Sequence, residues 1–590
     1  MDRKKIETKY KWNLSDLCAT DSEVYDSLDR MQARLPEIKV YQGKLKSENK
    51  LLAFLKLNEE IEIEFERIST YAYLHFCENQ EDKNYVEMLS KIELIAHDFS
   101  IATSFYDSEL KGYGVKFLTK IANNKKFENY RLDFLDMIRA FDHILSEPEE
   151  RVASTLSLAC GGYSDTFDAF DAIDVKFSDV VDSRGKKHKI TQADYSLTQE
   201  SRDRVLRKNA FNSFYKGFID MQNTIATNYI ASVKKDVAFA RAYKYDSVLQ
   251  SALFGDNLDE SVYTNLINNV HSNLSLLHKY YALRKICLNL ADMSYYDINV
   301  SLSKFDKKYT FDQMVDVVTR ALAPMGEEYV NNFVNAINHR WIDVYPTLNK
   351  STGAFATHVY NVHPFVLLNT VDNLESAFTL AHEMGHALHS FYSSKLPYNM
   401  ADYSIFLAEI ASTTNEVLLL KYLYANAKNK SEKIYYLDKY LRMFKSTLFR
   451  QTMFSEFEYF AHECVENNIP LSKEKLNDYY MQLNKQYHGS SIKHDNNINY
   501  EWMRVPHFYR SYYVYKYATG LTSAINFASK IVAGDKDALN KYLKLLSSGS
   551  SDYSYNLLKE AGVDLKTSEP YIVAFNEMKW ALKELKELTK

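Results

Sequence analysis

Along most of the chain, apolar residues return every three or four positions between charged ones. In residues 48 to 80, Ile61, Phe65, Ile68 and Ala72 stand at i, i+4, i+7 and i+11, with Glu62, Glu64, Glu66 and Arg67 between them. That spacing places the four in one stripe of an amphipathic helix facing a core. The same period recurs in "EYVNNFVNAINHRW", in "SEKIYYLDKYLRMFKSTLFRQTMFSEFEYFAHECVE" and in "VAFNEMKWALKELKEL". The pattern predicts a mainly α protein. The stretches differ in length and share no signature, which argues against a solenoid of repeats.

Two stretches break the helical period. "IDVKFSDVVDSRGKKHKIT" alternates apolar and polar positions around Ser183-Arg184-Gly185, as a short β-hairpin does. "STGAFATHVYNVHPFVLLNT" (351 to 370) is rich in β-branched and aromatic residues and reads as a strand feeding the helix that follows it. The polar stretch "QYHGSSIKHDNN" (486 to 497), with Gly489, reads as a surface loop able to move over a cleft. A coarse division puts an amino-terminal helical domain with the hairpin at 1–190 and a larger helical domain with a small sheet at 191–590. No Gly/Ser/Pro linker marks that boundary.

Composition supports this picture and narrows the function. Only 16 Gly and 9 Pro occur in 590 residues, far below the ~7% and ~5% of average usage, so turns are scarce and helices long. The net charge of -5 gives no basic field for nucleic acid or an anionic membrane. Cys18, Cys77, Cys160, Cys287 and Cys464 are scattered without a C-x-x-C pair, as expected of reduced, buried thiols in a cytosol. No signal-like apolar region follows Met1, and no run of 18 apolar residues occurs. A cytoplasmic protein with neither nucleic-acid nor membrane partners is expected.

The chemistry sits in "TLAHEMGHALHS" (379 to 390). On a helix, His382 and His386 project one above the other and can share one metal ion. Glu383, one residue after the first histidine, reaches a water on that ion without filling a ligand position, as a general base must. A third protein ligand is needed, and "DYSIFLAEIASTTNEVLLLKYLY" carries two carboxylates in otherwise apolar helical text. Glu409 lies far enough beyond His386 for a second helix to return alongside the first, so it is taken as the ligand. Glu416, two turns further on the same face, is taken as the acceptor that orients a ligand histidine. His389 is assigned a hydrogen-bonded packing role. His358 and His363, on the expected strand, could touch substrate, and neither is taken as a ligand.

"AHEMGHALHS", "FLAEIASTTNE" and "RVPHFYRSYYVYKYATG" together resemble oligoendopeptidase F of the thimet oligopeptidase superfamily. The likeness extends from "YKWNLSDL" through "YSLTQESRDRVLRKNAFNSFYKGF" and "NTVDNLESAFTLAHEMGH". The resemblance implies a helical clamshell with a deep channel, a small β-sheet beside the zinc-binding helix, one zinc ion, and cleavage of short peptides at internal bonds. It assigns His507, Tyr512 and Tyr515 to substrate binding and oxyanion stabilisation, with the two tyrosines three apart on one helix face. Tyr509 joins them as a substrate-binding candidate. Gly353 and Ala354 resemble the family's substrate loop, and "HPFVLLN" (363 to 369), which includes His363, would pair with an extended peptide backbone. His358 departs from the smaller residue expected in that loop. Two alternatives remain: a zinc carboxypeptidase, for which Arg504 and Arg510 could hold a terminal carboxylate, and a non-catalytic peptide-binding protein.

Overall fold

The helical period is realised where it was strongest. In the computed structural model, which describes residues 2–590, the helix Glu48–Glu78 buries Ile61, Ile68 and Ala72 completely. "EYVNNFVNAINHRW" forms the helix Glu327–Asn338, and the last periodic stretch forms Glu569–Leu588. The long run from 430 forms Lys430–Met443 and Arg450–Glu466, joined through a π-helical turn at Phe444–Phe449. Helix accounts for 72% of residues and strand for 2%, so the fold is mainly α.

The chain forms two compact units. The first comprises Met1–Asp142, Asp306–Tyr422 and Phe527–Gly562; the second comprises His143–Phe305, Leu423–Asn526 and Val563–Lys590. The division expected at residue 190 therefore falls inside the second unit. Each unit is assembled from three separated segments, so contacts distant in sequence define it, and a single cut along the chain cannot.

In the first unit, a three-stranded sheet has the order β3-β5-β4. β3 (Ile342–Asp343) pairs parallel with β5 (Phe365–Leu367), and β4 (Phe355–Thr357) pairs antiparallel with β5, Ala356 opposite Val366. The stretch read as one strand is thus two strands, and His358 and His363 lie in their connection. Phe365 and Leu367 of β5 join the apolar core built by the amino-terminal helices, with Phe54, Ile61 and Ile68. Asp343 anchors β3 to its surroundings, with Lys350 Nζ at 2.7 Å and Arg3 Nη2 at 2.6 Å.

In the second unit the hairpin forms as expected. β1 (Val180–Val181) pairs antiparallel with β2 (Lys187–His188). Asp182 organises the turn by accepting from the backbone N–H of Arg184 (2.9 Å) and of Lys186 (3.0 Å), and Gly185 takes φ +79° there. The stretch 486–497 does not form the free loop expected. Its first residues end the helix Lys473–His488; Lys493 N–H then donates to Met293 O (2.7 Å), and His494 Nδ1 pairs with the Tyr295 hydroxyl (2.8 Å). All five cysteines are free. Among the described residues, no helix is long and apolar enough to cross a membrane.

Candidate metal centre and active site

The histidine helix, Leu374–Ser393, starts where Asn373 accepts from the N–H of Ser376 (2.8 Å). Its interior is held by buried Ala377, Leu380, Ala381, Met384, Ala387 and Leu388. The glutamate helix, Ile405–Ala425, buries Phe406, Ile410, Ala411, Val417 and Leu418. The two helices touch backbone to backbone at Gly385. A Cβ there would stand 2.5 Å from Ser412 Cα and 2.7 Å from Ala411 O. Asn415 ties the same crossing, donating to Ala381 O at 3.1 Å and accepting from the Tyr329 hydroxyl at 3.1 Å.

That close approach brings the expected ligands together. Glu409 Oε2 lies 3.7 Å from His382 Nε2 and 3.9 Å from His386 Nε2, and one ligand atom of each residue lies within 4.8 Å of the others. These separations are too long for hydrogen bonds. They are slightly wider than the about 3.4 Å edge of a tetrahedron with bonds of ~2.05 Å. Three donors therefore converge without bonding to one another, and the two edges that meet at Glu409 would contract by about 0.3 and 0.5 Å around a cation the size of zinc.

Glu416 lies within reach of the histidine it was expected to orient: His382 Nδ1 donates to its Oε1 at 2.6 Å, and Nε2 on the other side of the ring is 3.7 Å from Glu409 Oε2. Burial alone would lower the His382 pKa, but this hydrogen bond and the surrounding carboxylates raise it to about 9 in the metal-free chain. Burial and the neighbouring His382 push His386 down to about 3, so its imidazole is neutral. Glu383 is 7% exposed, and burial raises its carboxyl to about 7. A carboxyl poised there can both take and return a proton near neutrality.

His389 is packed differently from expectation. Its ring stacks on Tyr403 at 3.5 Å, and neither ring nitrogen finds a hydrogen-bond partner. Full burial holds it neutral, pushing its pKa to about 3, so stacking replaces the hydrogen bonds. His363 also has a structural setting. It stacks on Trp341 at 4.8 Å, with Nδ1 2.8 Å from Pro364 O and Nε2 3.0 Å from Asp16 Oδ2, so no ring nitrogen is left for substrate.

β4 lies against the histidine helix. β5 is the middle strand, with both edges already paired, and so cannot take up a peptide as expected of 363 to 369. The available edge belongs to β4, whose three residues are half-buried and whose outer side pairs with no other described strand. Gly353, at φ +80° with open space around its Cα, enters that strand, and Asn369 Nδ2 donates to its carbonyl at 2.8 Å. Ala354 is half-buried beside it.

The tyrosine motif lies in the second unit. Pro506–Tyr509 is a short 3-10 turn carrying a half-buried His507, whose Nε2 is 3.4 Å from the Tyr517 hydroxyl. Tyr512 and Tyr515 do not share a helix face. The helix begins only at Tyr515, and Tyr512 sits before it in the left-handed region, φ +53°. Glu458 stabilises that turn by accepting from the Tyr512 N–H at 2.7 Å. Both tyrosine rings are buried against Tyr263, 5.4 Å between centroids. Tyr509 packs on Phe167 at 4.9 Å. Sequence reasoning missed Gly385, Asn415, Tyr517 and the β4 edge. A glycine between the histidines and an amide in apolar helical text were the available signals.

Two imidazoles on one helix, a carboxylate from a second and a buried glutamate beside them define a metal-dependent hydrolase. The sequence profile of peptidase family M3 matches residues 197–577, and that of Oligopeptidase F matches 115–177. The chain belongs to peptidase family M3: it is a metallopeptidase of the oligoendopeptidase F type, acting on oligopeptides. Oligopeptidase PepF of Bacillus subtilis is 35% identical over all of this chain and 88% of its own length. Group B oligopeptidase PepB of Streptococcus agalactiae is 35% identical over 100% and 98%. A putative peptidase from Chlamydophila abortus superposes with a TM-score of 0.94 at 33% identity, covering 100% of this chain and 99% of that one. Oligoendopeptidase F from Enterococcus faecium gives 0.73 at 29% identity, covering 96% and 99%.

Proposed function

We propose that the chain is a zinc-dependent endopeptidase that cuts internal bonds of short peptides in the cytoplasm. The observation that carries this reading is the convergence of His382, His386 and Glu409 around one point, with Glu383 buried beside them. The five free cysteines support a reducing compartment.

When bound, zinc supplies Lewis acidity toward water and the scissile carbonyl. His382, oriented by Glu416, and neutral His386 offer lone pairs, while Glu409 supplies the third donor and a compensating charge. Glu383 takes a proton from the attacking water and passes it to the leaving nitrogen, as its position one residue past a ligand requires. The free edge of β4, entered through Gly353 and Ala354, would hold an extended peptide by its backbone and tolerate many side chains. His507 keeps the substrate-binding and oxyanion assignment implied by family resemblance. The resemblance gives Tyr512 and Tyr515 the same assignment, and both rings are buried against Tyr263.

An internally quenched peptide of about ten residues (~30 Å extended), acetylated and amidated at its ends, tests the reading. Cleavage at an internal bond, lost on chelation and restored by zinc, is expected. Cleavage confined to peptides with a free carboxyl terminus would mean a carboxypeptidase instead.

A further inference from the structure

The second unit contains a cavity of about 330 Å³ that is lined by none of the metal-centre candidates nor by His507, Tyr509, Tyr512 or Tyr515, although Arg504 at the head of the tyrosine motif does line it. Seven of its nineteen lining residues are Phe or Tyr, and four of its lining side chains carry the charge balance: Lys445, Arg450, Arg504 and Glu501. Glu501 is fully engaged. Arg450 pairs with it at 2.8 Å, and the hydroxyls of Tyr480 and Tyr215 donate to it at 2.7 and 3.3 Å. The one acid is thus matched to one cation, and two cations remain.

Among the described residues, neither has an anionic partner within ion-pair distance. Lys445 Nζ donates to the neutral amide oxygen of Asn299 at 2.5 Å. Burial, then the cations Arg284, Arg442 and Arg450, push its pKa down to about 7, with Asp438 opposing them. The Arg504 guanidinium lies over Phe214 at 4.9 Å and Tyr195 at 5.7 Å, and its buried Nε has no acceptor. Asp171 feels the Arg504 charge but is itself hydrogen-bonded by Gln192.

Half-buried cationic side chains without a counter-charge are costly, and an anion between them would offset that cost. A guanidinium resting on aromatic rings keeps its planar N–H donors for an oxyanion, which it can hold through two parallel hydrogen bonds. Lys445 comes from the π-helical turn Phe444–Phe449, a rare geometry that is concentrated at functional sites. We propose that this cavity binds a small oxyanion, a carboxylate or phosphate compound with an apolar body, between Lys445 and Arg504. The aromatic walls take the body and the two cations take the charged end. The inference is independent of the peptidase reading.

Calorimetric titration of the full chain with inorganic phosphate, phenyl phosphate and phenylacetate tests it and separates the two sources of oxyanion. At least one is expected to bind with 1:1 stoichiometry and to raise the unfolding midpoint, while sodium chloride at equal ionic strength does neither. Lys445→Gln is expected to weaken that binding at least tenfold without lowering the midpoint of the ligand-free protein, and Lys445→Arg is expected to retain it. Arg504→Gln supplies the same reading if Lys445→Gln does not fold. No saturable binding by any probe up to about 10 mM (where a Kd of 1 mM would be saturated), an equal effect of chloride, or unchanged affinity in both variants would overturn the proposal.

Discussion

Replacing Gly385 by Ala adds one methyl group where the histidine and glutamate helices meet. That methyl would lie 2.5 Å from Ser412 Cα, 2.7 Å from Ala411 O and 2.8 Å from Ser412 N. All three are backbone atoms, so no side-chain rotation relieves the clash, and reaching ordinary contact near ~3.5 Å requires the helices to separate by about 1 Å. Overpacking of this kind costs ~1–3 kcal/mol, offset by ~1 kcal/mol from the better helix propensity of Ala, so the net loss of stability is small. The metal centre has no such offset. Glu409 rides on the displaced helix and already stands 3.7 and 3.9 Å from the two imidazoles, whereas metal-ligand distances tolerate about 0.2 Å. Zinc affinity is therefore expected to fall by at least ~100-fold, about 2.8 kcal/mol, with the melting midpoint of the chelated protein shifting by only a few degrees. Competition against a chromogenic chelator measures the first and circular dichroism the second. Ser412→Gly should not rescue the variant, because the clash is with backbone. Unchanged zinc affinity in Gly385→Ala would refute the argument that helix separation sets the ligand cage.

Three further outcomes follow from the same geometry. Glu383→Gln should bind zinc as the parent does while turnover of a quenched peptide drops ~10²–10⁴-fold, the usual worth of a positioned acid-base group; parallel loss of metal would place Glu383 among the ligands. Glu416→Ala removes the 2.6 Å bond to His382 Nδ1 and should weaken zinc ~10–100-fold, read by the same chelator competition. Zinc affinity should rise with pH. His382, held at about 9 in the metal-free chain, must shed a proton to bind, which gives about tenfold per pH unit between 7 and 9. His386, at about 3, is already neutral across this range and adds no further proton. A flat profile from pH 6 to 8 would contradict this linkage.

The cluster of His382, His386 and Glu409 proposed to hold the metal was legible in the sequence because helical geometry is local. A spacing of four positions from His382 to His386 fixes their relation whatever surrounds them, and two acids in apolar text at Glu409 and Glu416 need a buried reason. The hairpin at β1 and β2 was legible for the same cause, since Asp182 and Gly185 close it within a few residues. What could not be read depends on pairing between distant segments. β-Branched and aromatic residues around 355 and 365 announce extended backbone but not which strand lies in the middle, and only the parallel pairing of β3 with β5 puts β5 there and leaves β4 at an edge. Period likewise places Tyr512 and Tyr515 on one face only if a helix runs through both. The left-handed turn at Tyr512, fixed by Glu458 from a helix more than fifty residues earlier, cancels that premise.

Gly385 joins the two kinds of information. Its position between the metal-binding histidines is local, yet the reason no side chain fits there is the backbone of Ser412 on another helix. The spacing of the histidines would be unchanged by an alanine at 385, and so would every feature used to recognise the site. Whether the third ligand arrives is decided by the one atom that glycine lacks. A spacing motif therefore specifies two-thirds of a metal cage, and the remaining third is a statement about how closely two helices cross.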